Sequence, residues 1–148
     1  MAQLKMELGD EPGCRLVSRL EARGRTRADP AWMLEAFRHL ALNSRQTMSQ
    51  PVKIEFATQD EHFPEDVLGN CSLIPAGSYV RFSVRDSGAG IGLHPSGDVL
   101  LPFVTSHHSA LGLGLSAVWG IVASHGGYID IPETVTGTRI DLYLPALR

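Results

Sequence analysis

Apolar and polar residues alternate along several short segments of the chain, and this alternation predicts β-strands. Val80, Phe82 and Val84, for example, are each separated by a polar residue. Successive side chains of a strand point to opposite faces, so each segment is expected to bury one face. The segments predicted as strands are residues 15–21, 52–58, 79–86, 128–131 and 138–144, the last two as a hairpin.

Two other segments carry apolar residues at helical spacing. The first covers residues 31–48 and follows Asp29-Pro30, a candidate N-cap and first helical residue. The second covers residues 117–125, and the glycines at 126–127 provide a stop signal. Residues 59–77 are polar and contain proline and glycine, and they are predicted to form an exposed loop.

The order of these elements predicts one α+β domain over residues 1–148, with a mixed sheet carrying helices on one face. Residues 1–13 are a candidate linker remnant. A hydrophobic fraction of 43% and a charged fraction of 20% are ordinary for a soluble globular protein. A net charge of −3 without a basic run argues against nucleic acid as a partner.

The cysteine content and the hydropathy of the chain indicate the cellular compartment in which the protein is expected. Cys14 and Cys71 are too few and too far apart in sequence for a metal motif or a dense disulfide frame, which favours a reducing cytoplasm. No apolar run is long enough to span a bilayer. A cytoplasmic location is therefore expected, with membrane contact only through parts outside this chain.

The most informative motif is Asp86 followed by Gly88 and Gly90. Asp86 continues the apolar side of strand 79–86, so it is expected on the core side where the strand ends. A carboxylate in an apolar cleft requires a donor, and the exocyclic amine of adenine is a donor of suitable size. The glycines would let the backbone approach such a ligand closely. A tight turn with a solvated Asp is the alternative interpretation of this motif alone.

Gly112 and Gly114 precede the second predicted helix and are expected to open it. The backbone N–H groups of a first helical turn and the helix dipole both favour phosphate. Close helix packing is the alternative explanation for these glycines. Their occurrence together with the Asp86 motif favours a nucleotide.

His39 and Asn43 are four residues apart on the first predicted helix and therefore share a face. An Asn there could give its oxygen to a hydrated magnesium, and a His could orient or deprotonate an attacking group. Alternatively, Asn43 only hydrogen-bonds the next loop and His39 is an ordinary half-buried residue.

Taken in order, these motifs resemble those of one family. Residues 34–45, 84–92, 101–106 and 112–116 are similar to the N, G1, F and G2 boxes of the ATP-binding domain of sensor histidine kinases. That domain belongs to a superfamily shared with gyrase-type ATPases, heat-shock chaperone ATPase domains and mismatch-repair proteins. Residues 137–145 resemble the last strand of nitrogen-regulatory and hybrid sensor kinases. The resemblance implies a Bergerat-type ATP-binding fold, a two-layer α/β sandwich with a mostly antiparallel sheet.

The resemblance also implies the cofactors and their contacts. ATP is the expected nucleotide and Mg²⁺ the expected metal, with Asn43 at the magnesium position, His39 assisting proton movement and Asp86 reading adenine. The other expected ATP contacts are Gly88, Gly90, Ile91, Thr105, Gly112, Leu113, Gly114, Leu115 and Thr138.

Three positions depart from the family pattern. Leu100 stands where the F box usually begins with Phe, His107 where a Lys is common, and Ala110 where the first glycine of the G2 box is expected. Ala110 would be tolerated with ordinary backbone angles but not with positive φ. The lid segment, residues 105–112, is also short. We therefore expect low ATP affinity and turnover.

The family's phosphoacceptor is a histidine, commonly followed by an acidic residue, on a separate helical hairpin. None of the six histidines here is followed by Asp or Glu. The expected activity is therefore transfer of the γ-phosphoryl group of ATP to a histidine on a separate dimerisation domain, which then serves a response regulator. Autophosphorylation by this chain alone is not expected, and neither is a dimer.

Two alternative functions are retained. One is a serine kinase similar to anti-sigma factors, although that family usually carries Glu where His39 stands. The other is a degenerate, nucleotide-free docking or phosphotransfer module, which the departures at Leu100 and Ala110 motivate.

Overall fold

The structure is a computed structural model, and it describes residues 14–46, 52–86, 109–132, 134 and 137–147. Within these residues the chain forms seven strands and two helices. In chain order they are β1 (Cys14–Leu20), α1 (Pro30–Gln46), β2 (Val52–Phe63), β3 (Val67–Leu68), β4 (Leu73–Ile74), β5 (Gly77–Asp86), α2 (Ser109–Ser124), β6 (Tyr128–Asp130) and β7 (Thr138–Pro145).

Five of the strands form one sheet in the order β1-β2-β5-β7-β6. β1 pairs with β2 in parallel, and the other neighbours pair antiparallel. The register places Asp86, the last residue of β5, opposite Ile54 on one side and Thr138 on the other. The mixed, mostly antiparallel sheet and the α+β class are thus confirmed.

The main core lies between this sheet and the two helices. Alternate residues of the central strands contribute to it over part of each strand, as the alternating pattern predicts, for example Ile54 and Phe56 of β2. Its most completely buried large side chains come from both helices and from β2, β6 and β7, and they are Leu40, Val118, Val122, Ile54, Ile129, Leu142 and Leu144. The helices therefore occupy one face of the sheet.

The opposite face of the sheet is closed by polar and aromatic side chains. Asp141 is only 2% exposed, and its Oδ1 accepts hydrogen bonds from Ser83 Oγ at 2.7 Å and Arg139 Nε at 2.9 Å. At one end of this face, Ile74 of the small β3–β4 hairpin packs with Tyr79 and Tyr143. Satisfied polar groups and a short hairpin thus replace a second helical layer.

α1 begins as the sequence predicts. Asp29 Oδ1 accepts the backbone N–H of Ala31 at 2.9 Å, which satisfies one of the donors left unpaired at a helix start. The Asp29 carbonyl accepts the N–H of Met33 at 3.0 Å, the first turn of the helix. Pro30 is the first helical residue, where its missing N–H costs nothing.

The prediction for α2 is correct at its end and wrong at its start. Gly126 has φ of +72°, and the N–H of Gly127 reaches the carbonyl of Val122 at 2.9 Å, so two glycines end the helix in a Schellman arrangement. The helix begins at Ser109, well before residue 117, so that Gly112 and Gly114 lie within it. Two glycines lower helix propensity but do not prevent a helix whose later turns are packed in a core. Of the helices described, neither has the length and apolarity needed to cross a membrane.

The exposed loop predicted over residues 59–77 is shorter than expected, because part of this segment is strand. β2 continues to Phe63 and pairs with β5 down to Gly77. Two of the polar residues that suggested a loop, Gln59 and Glu61, lie on the sheet face away from the helices, where Arg81 binds both. Cross-strand polar pairs of this kind stabilise a strand whose sequence lacks apolar alternation.

Candidate functional site

Asp86 lies where its position in the strand pattern predicts, at the end of β5 and on the side of the core. It is 7% exposed. Its Oδ1 accepts the backbone N–H of Thr138 at 3.1 Å, which joins the end of β5 to the start of β7. The structure thus brings together two of the residues expected to contact ATP.

Gly137 completes this junction. Its φ of +73° lies in the left-handed region that favours glycine. A Cβ at this position would lie 2.0 Å from the carbonyl oxygen of Asp86, a distance that no side chain can occupy. Gly137 was not predicted as a site residue, although a Gly immediately before a predicted strand was a usable signal.

The surroundings of Asp86 on the core side are apolar. Its register partner Ile54 is fully buried, and Val84 and Ile140 are 3% and 6% exposed. A carboxylate in such a setting is strongly stabilised by donors, because water is largely excluded. The arrangement therefore suits recognition of a ligand N–H group.

His39 lies on α1 with its Nε2 3.4 Å from Glu35 Oε1, one helical turn earlier. Glu35 also pairs with Arg38 at 3.3 Å. The imidazole is about one-third exposed, so it remains accessible from solvent. Glu35 was not predicted as a neighbour of the site, although its i, i+4 spacing to His39 could have indicated it.

The remaining predicted site residues are described only in part. Asn43 lies on α1 one turn after His39, and Gly112, Leu113, Gly114 and Leu115 lie on α2; for these five the structure describes the backbone alone. The predicted contacts outside the described residues are Gly88, Gly90, Ile91 and Thr105.

Of the three departures from the family pattern, Ala110 falls within the described residues. It is the second residue of α2, where helical backbone angles suit alanine. Alanine was expected to be tolerated here if the backbone conformation is ordinary, and this is the case. Leu100 and His107 lie outside the described residues.

Comparison with protein families and curated sequences gives a consistent result. Residues 28–148 match the family described as "Histidine kinase-, DNA gyrase B-, and HSP90-like ATPase". The chain is 32% identical over 112 residues to the sensor kinase CckA of Brucella abortus, an alignment that covers 74% of this chain and 12% of CckA. It is 30% identical over 119 residues to the sensor histidine kinase ZraS of Escherichia coli O157:H7, covering 80% of this chain and 23% of ZraS. The chain thus spans less than a quarter of either relative.

Solved structures share the fold. The catalytic domain of the histidine kinase ThkA superposes with a TM-score of 0.68 at 20% identity, covering 97% of this chain and 83% of that domain. Full-length ShkA in complex with AMPPNP superposes with a TM-score of 0.70 at 20% identity, covering 98% of this chain and 28% of ShkA. At these identities the likeness establishes the arrangement of the sheet and helices.

Proposed function

Because the chain belongs to the histidine kinase-, DNA gyrase B- and HSP90-like ATPase family, as an ATP-binding domain of the sensor histidine kinase type, we propose that it transfers the γ-phosphoryl group of ATP to a histidine on a separate domain. The observation that carries this proposal is the buried Asp86, held against Thr138 by a backbone hydrogen bond. The family resemblance assigns adenine recognition to this position. The whole protein would pass the phosphoryl group from that histidine to a response regulator.

Asp86 would accept a hydrogen bond from the exocyclic amine of adenine. One carboxylate oxygen already holds the N–H of Thr138, which orients the group. Gly137 leaves no room for a side chain beside the Asp86 carbonyl, so the two strands approach closely at the proposed pocket. A pre-oriented acceptor loses little freedom on binding, and it discriminates adenine from a base that presents a carbonyl at the same place.

His39 would assist proton movement near the phosphates. If its Nε2–H points to Glu35, the other ring nitrogen is left as the proton acceptor. Asn43, one turn further along α1, would hold Mg²⁺ through its side-chain oxygen. An amide oxygen suits this hard cation, which supplies charge neutralisation at the phosphates when bound. Positioning and charge stabilisation would provide most of the rate enhancement.

The acceptor histidine would be supplied in trans. The chain has six histidines, none followed by an acidic residue, which supports a phosphoacceptor on another domain. Full-length ShkA, solved with the ATP analogue AMPPNP bound, matches this chain over only 28% of its own length. That proportion is consistent with a modular kinase in which the present chain supplies the nucleotide site.

The proposal is tested first by calorimetric titration with a non-hydrolysable ATP analogue, with and without magnesium, and with GTP as a control. Saturable, adenine-selective and magnesium-enhanced binding supports it. Labelled ATP and a separately purified helical hairpin carrying the phosphoacceptor then report transfer, which should yield an acid-labile phosphohistidine. An acid-stable phosphoserine would instead identify the anti-sigma-factor type of kinase. Absence of nucleotide binding would favour a docking module.

A further inference from the structure

An apolar cavity lies between α1 and the middle of β2 and β5, next to the end of β1. Its volume is about 230 Å³, and the residues lining it include Leu20, Phe37, Phe56, Thr58 and Phe82. Thr58 pairs with Phe82 four positions along β2 from the pair formed by Ile54 and Asp86, and Asp86 is not among the residues that line the cavity. We call it the Leu20 cavity.

Aromatic rings form the walls of the Leu20 cavity. The Phe37 ring centroid lies 6.1 Å from that of Phe56 and 5.6 Å from that of Phe82. Leu20, at the end of edge strand β1, is 58% exposed. An exposed leucine beside an open, aromatic-walled cavity is costly to leave in water and suits an apolar group from outside.

The chain that continues from Leu20, residues 21–27, forms what we call the arginine loop. Its backbone is tied to the neighbouring strands at successive positions. Thr58 accepts the N–H groups of Glu21 and Ala22 at 3.1 and 3.2 Å, and Asp60 accepts those of Arg23 and Gly24 at 2.9 and 2.8 Å. Further along, Thr26 pairs with Ala146 as a β-bridge. The loop therefore presents its side chains from a fixed backbone.

Three of its seven residues are arginines, and one, Glu21, is acidic. The loop carries Arg23, Arg25 and Arg27, all exposed, and Arg19 on β1 is exposed as well. In the part of the chain that the structure describes, Arg25 and Arg27 have no ion pair, whereas Asp60 attracts Arg23. Exposed arginines grouped on a rigid backbone, in a chain of net charge −3, mark a local site for an anionic partner.

From these observations we propose that the Leu20 cavity and the arginine loop together form a docking site for an acidic segment of a protein partner, whose bulky apolar side chain enters the cavity. The arginines bind the carboxylates on either side of that anchor. At protein interfaces, central apolar anchors usually supply most of the affinity, and the charged contacts around them supply much of the specificity.

Cavity size and charge distribution select a protein segment over a membrane. A volume of about 230 Å³ is below the range of roughly 300–1,000 Å³ typical of small-molecule sites, and it suits one or two side chains. Glu21 and Asp60 are exposed carboxylates beside the arginines, because Glu21 begins the arginine loop and Asp60 accepts the backbone N–H groups of Arg23 and Gly24. A flat anionic membrane would meet these carboxylates together with the arginines, whereas a short peptide need contact only the arginines.

The test is selection of a display library of random peptides against the whole chain, followed by fluorescence anisotropy with the selected peptide. We expect enrichment of peptides with several acidic residues around Leu, Phe or Trp. Leu20→Glu, which places a carboxylate at the cavity mouth, should weaken binding at least about ten-fold. A triple variant, R23Q/R25Q/R27Q, should weaken binding and remove most of its salt dependence.

The matched control is Leu68→Glu, because Leu68 is also an exposed leucine, at 81%, but lies on the β3–β4 hairpin. Its affinity for the peptide should be unchanged. Circular dichroism and ATP-analogue affinity report folding of every variant, since neither the cavity nor the loop belongs to the proposed nucleotide site. A failed docking site would thus be distinguished from a failed nucleotide site.

Four outcomes would overturn the proposal. One is a selection in which the parent chain enriches no peptides beyond those that the Leu20→Glu variant enriches. Another is a selected peptide that binds the Leu20→Glu variant and the triple arginine variant as tightly as it binds the parent chain. A third is arginine-dependent cosedimentation with phosphatidylserine vesicles in the absence of peptide binding, which would identify a membrane surface. The last is concentration-dependent self-association that Leu20→Glu abolishes, which would identify a second copy of this chain as the occupant.

Discussion

Gly137, the residue before β7, lies so close to Asp86 at the end of β5 that a Cβ on Gly137 would sit 2.0 Å from the Asp86 carbonyl oxygen. The next residue, Thr138, donates its N–H to the Asp86 carboxylate. The geometry of the proposed adenine pocket thus depends on the absence of a side chain at position 137.

Gly137→Ala should therefore damage both stability and nucleotide binding. The substitution combines a φ of +73° with a contact against backbone, which cannot move aside as a flexible side chain would. We expect a loss of about 2–4 kcal/mol in the free energy of unfolding, measured by urea denaturation. Displacement of β7 should also weaken ATP-analogue binding in the molecules that remain folded.

Gly120→Ala is the matched control. Gly120 lies within α2, and a Cβ there would meet no heavy atom within 4 Å. This substitution should raise the free energy of unfolding by up to about 1 kcal/mol, because alanine has the higher helix propensity. Equal stabilities for the two variants would contradict the close approach of Gly137 to Asp86.

Asp86→Asn tests adenine recognition with little change in volume. An Asn can still accept the N–H of Thr138, but its amide offers one acceptor oxygen where the carboxylate offers two. Calorimetry should show ATP-analogue affinity lowered by about ten-fold or more, with circular dichroism unchanged. Undiminished affinity in a natively folded variant would refute the pocket assignment.

His125 connects the end of α2 to the start of α1 and should exist as one tautomer. Its Nε2 accepts the backbone N–H of Asp29 at 3.1 Å, and its Nδ1 lies 2.7 Å from the carbonyl oxygen of Ile121. Since a carbonyl only accepts, the proton must lie on Nδ1. Long-range ¹H–¹⁵N spectra of the neutral ring should show this form, and an Nε2–H signal would contradict the structure. His125→Ala should cost about 1 kcal/mol of stability.

Asp60 should contribute to acid-dependent unfolding. The backbone N–H groups of Arg23 and Gly24, in that order of importance, hold the pKa of Asp60 below its ordinary value of 3.8. A lowered pKa in the folded state means that this stabilisation is complete above the unfolded-state pKa and is lost as the pH falls through the folded-state value. Asp60→Asn should therefore be less stable than the parent chain at pH 7, with the difference narrowing below about pH 4.

Glu65→Gln serves as the control for that experiment, because Glu65 is an exposed carboxylate on the segment after β2. Urea denaturation at pH 7 should give it the same free energy of unfolding as the parent chain. A difference between Asp60→Asn and the parent chain that stayed constant with pH would show that the hydrogen bonds, and not the charge of Asp60, stabilise the loop.

Local sequence signals predicted much of the fold and part of the site. The N-cap at Asp29, the glycine stop at Gly126 and the core-facing position of Asp86 were all correct, since each depends on neighbouring residues. The start of α2 was wrong because packing of its later turns overrides the weak helix propensity of its glycines. The length of β2 was wrong because its partner β5 lies beyond a separate hairpin, and cross-strand pairs cannot be identified from one segment.

By itself, the sequence determined the alternation of strands and helices, the caps, and the parity that turns Asp86 toward the core. These features follow from interactions within a few residues of chain. Only the tertiary structure decided that Thr138 donates to Asp86 across 52 positions, that Gly137 must remain a glycine, and that Leu20 opens onto an aromatic cavity beside the arginine loop. Such relationships arise when distant strands pair and pack, and the register and packing that create them are properties of the whole fold.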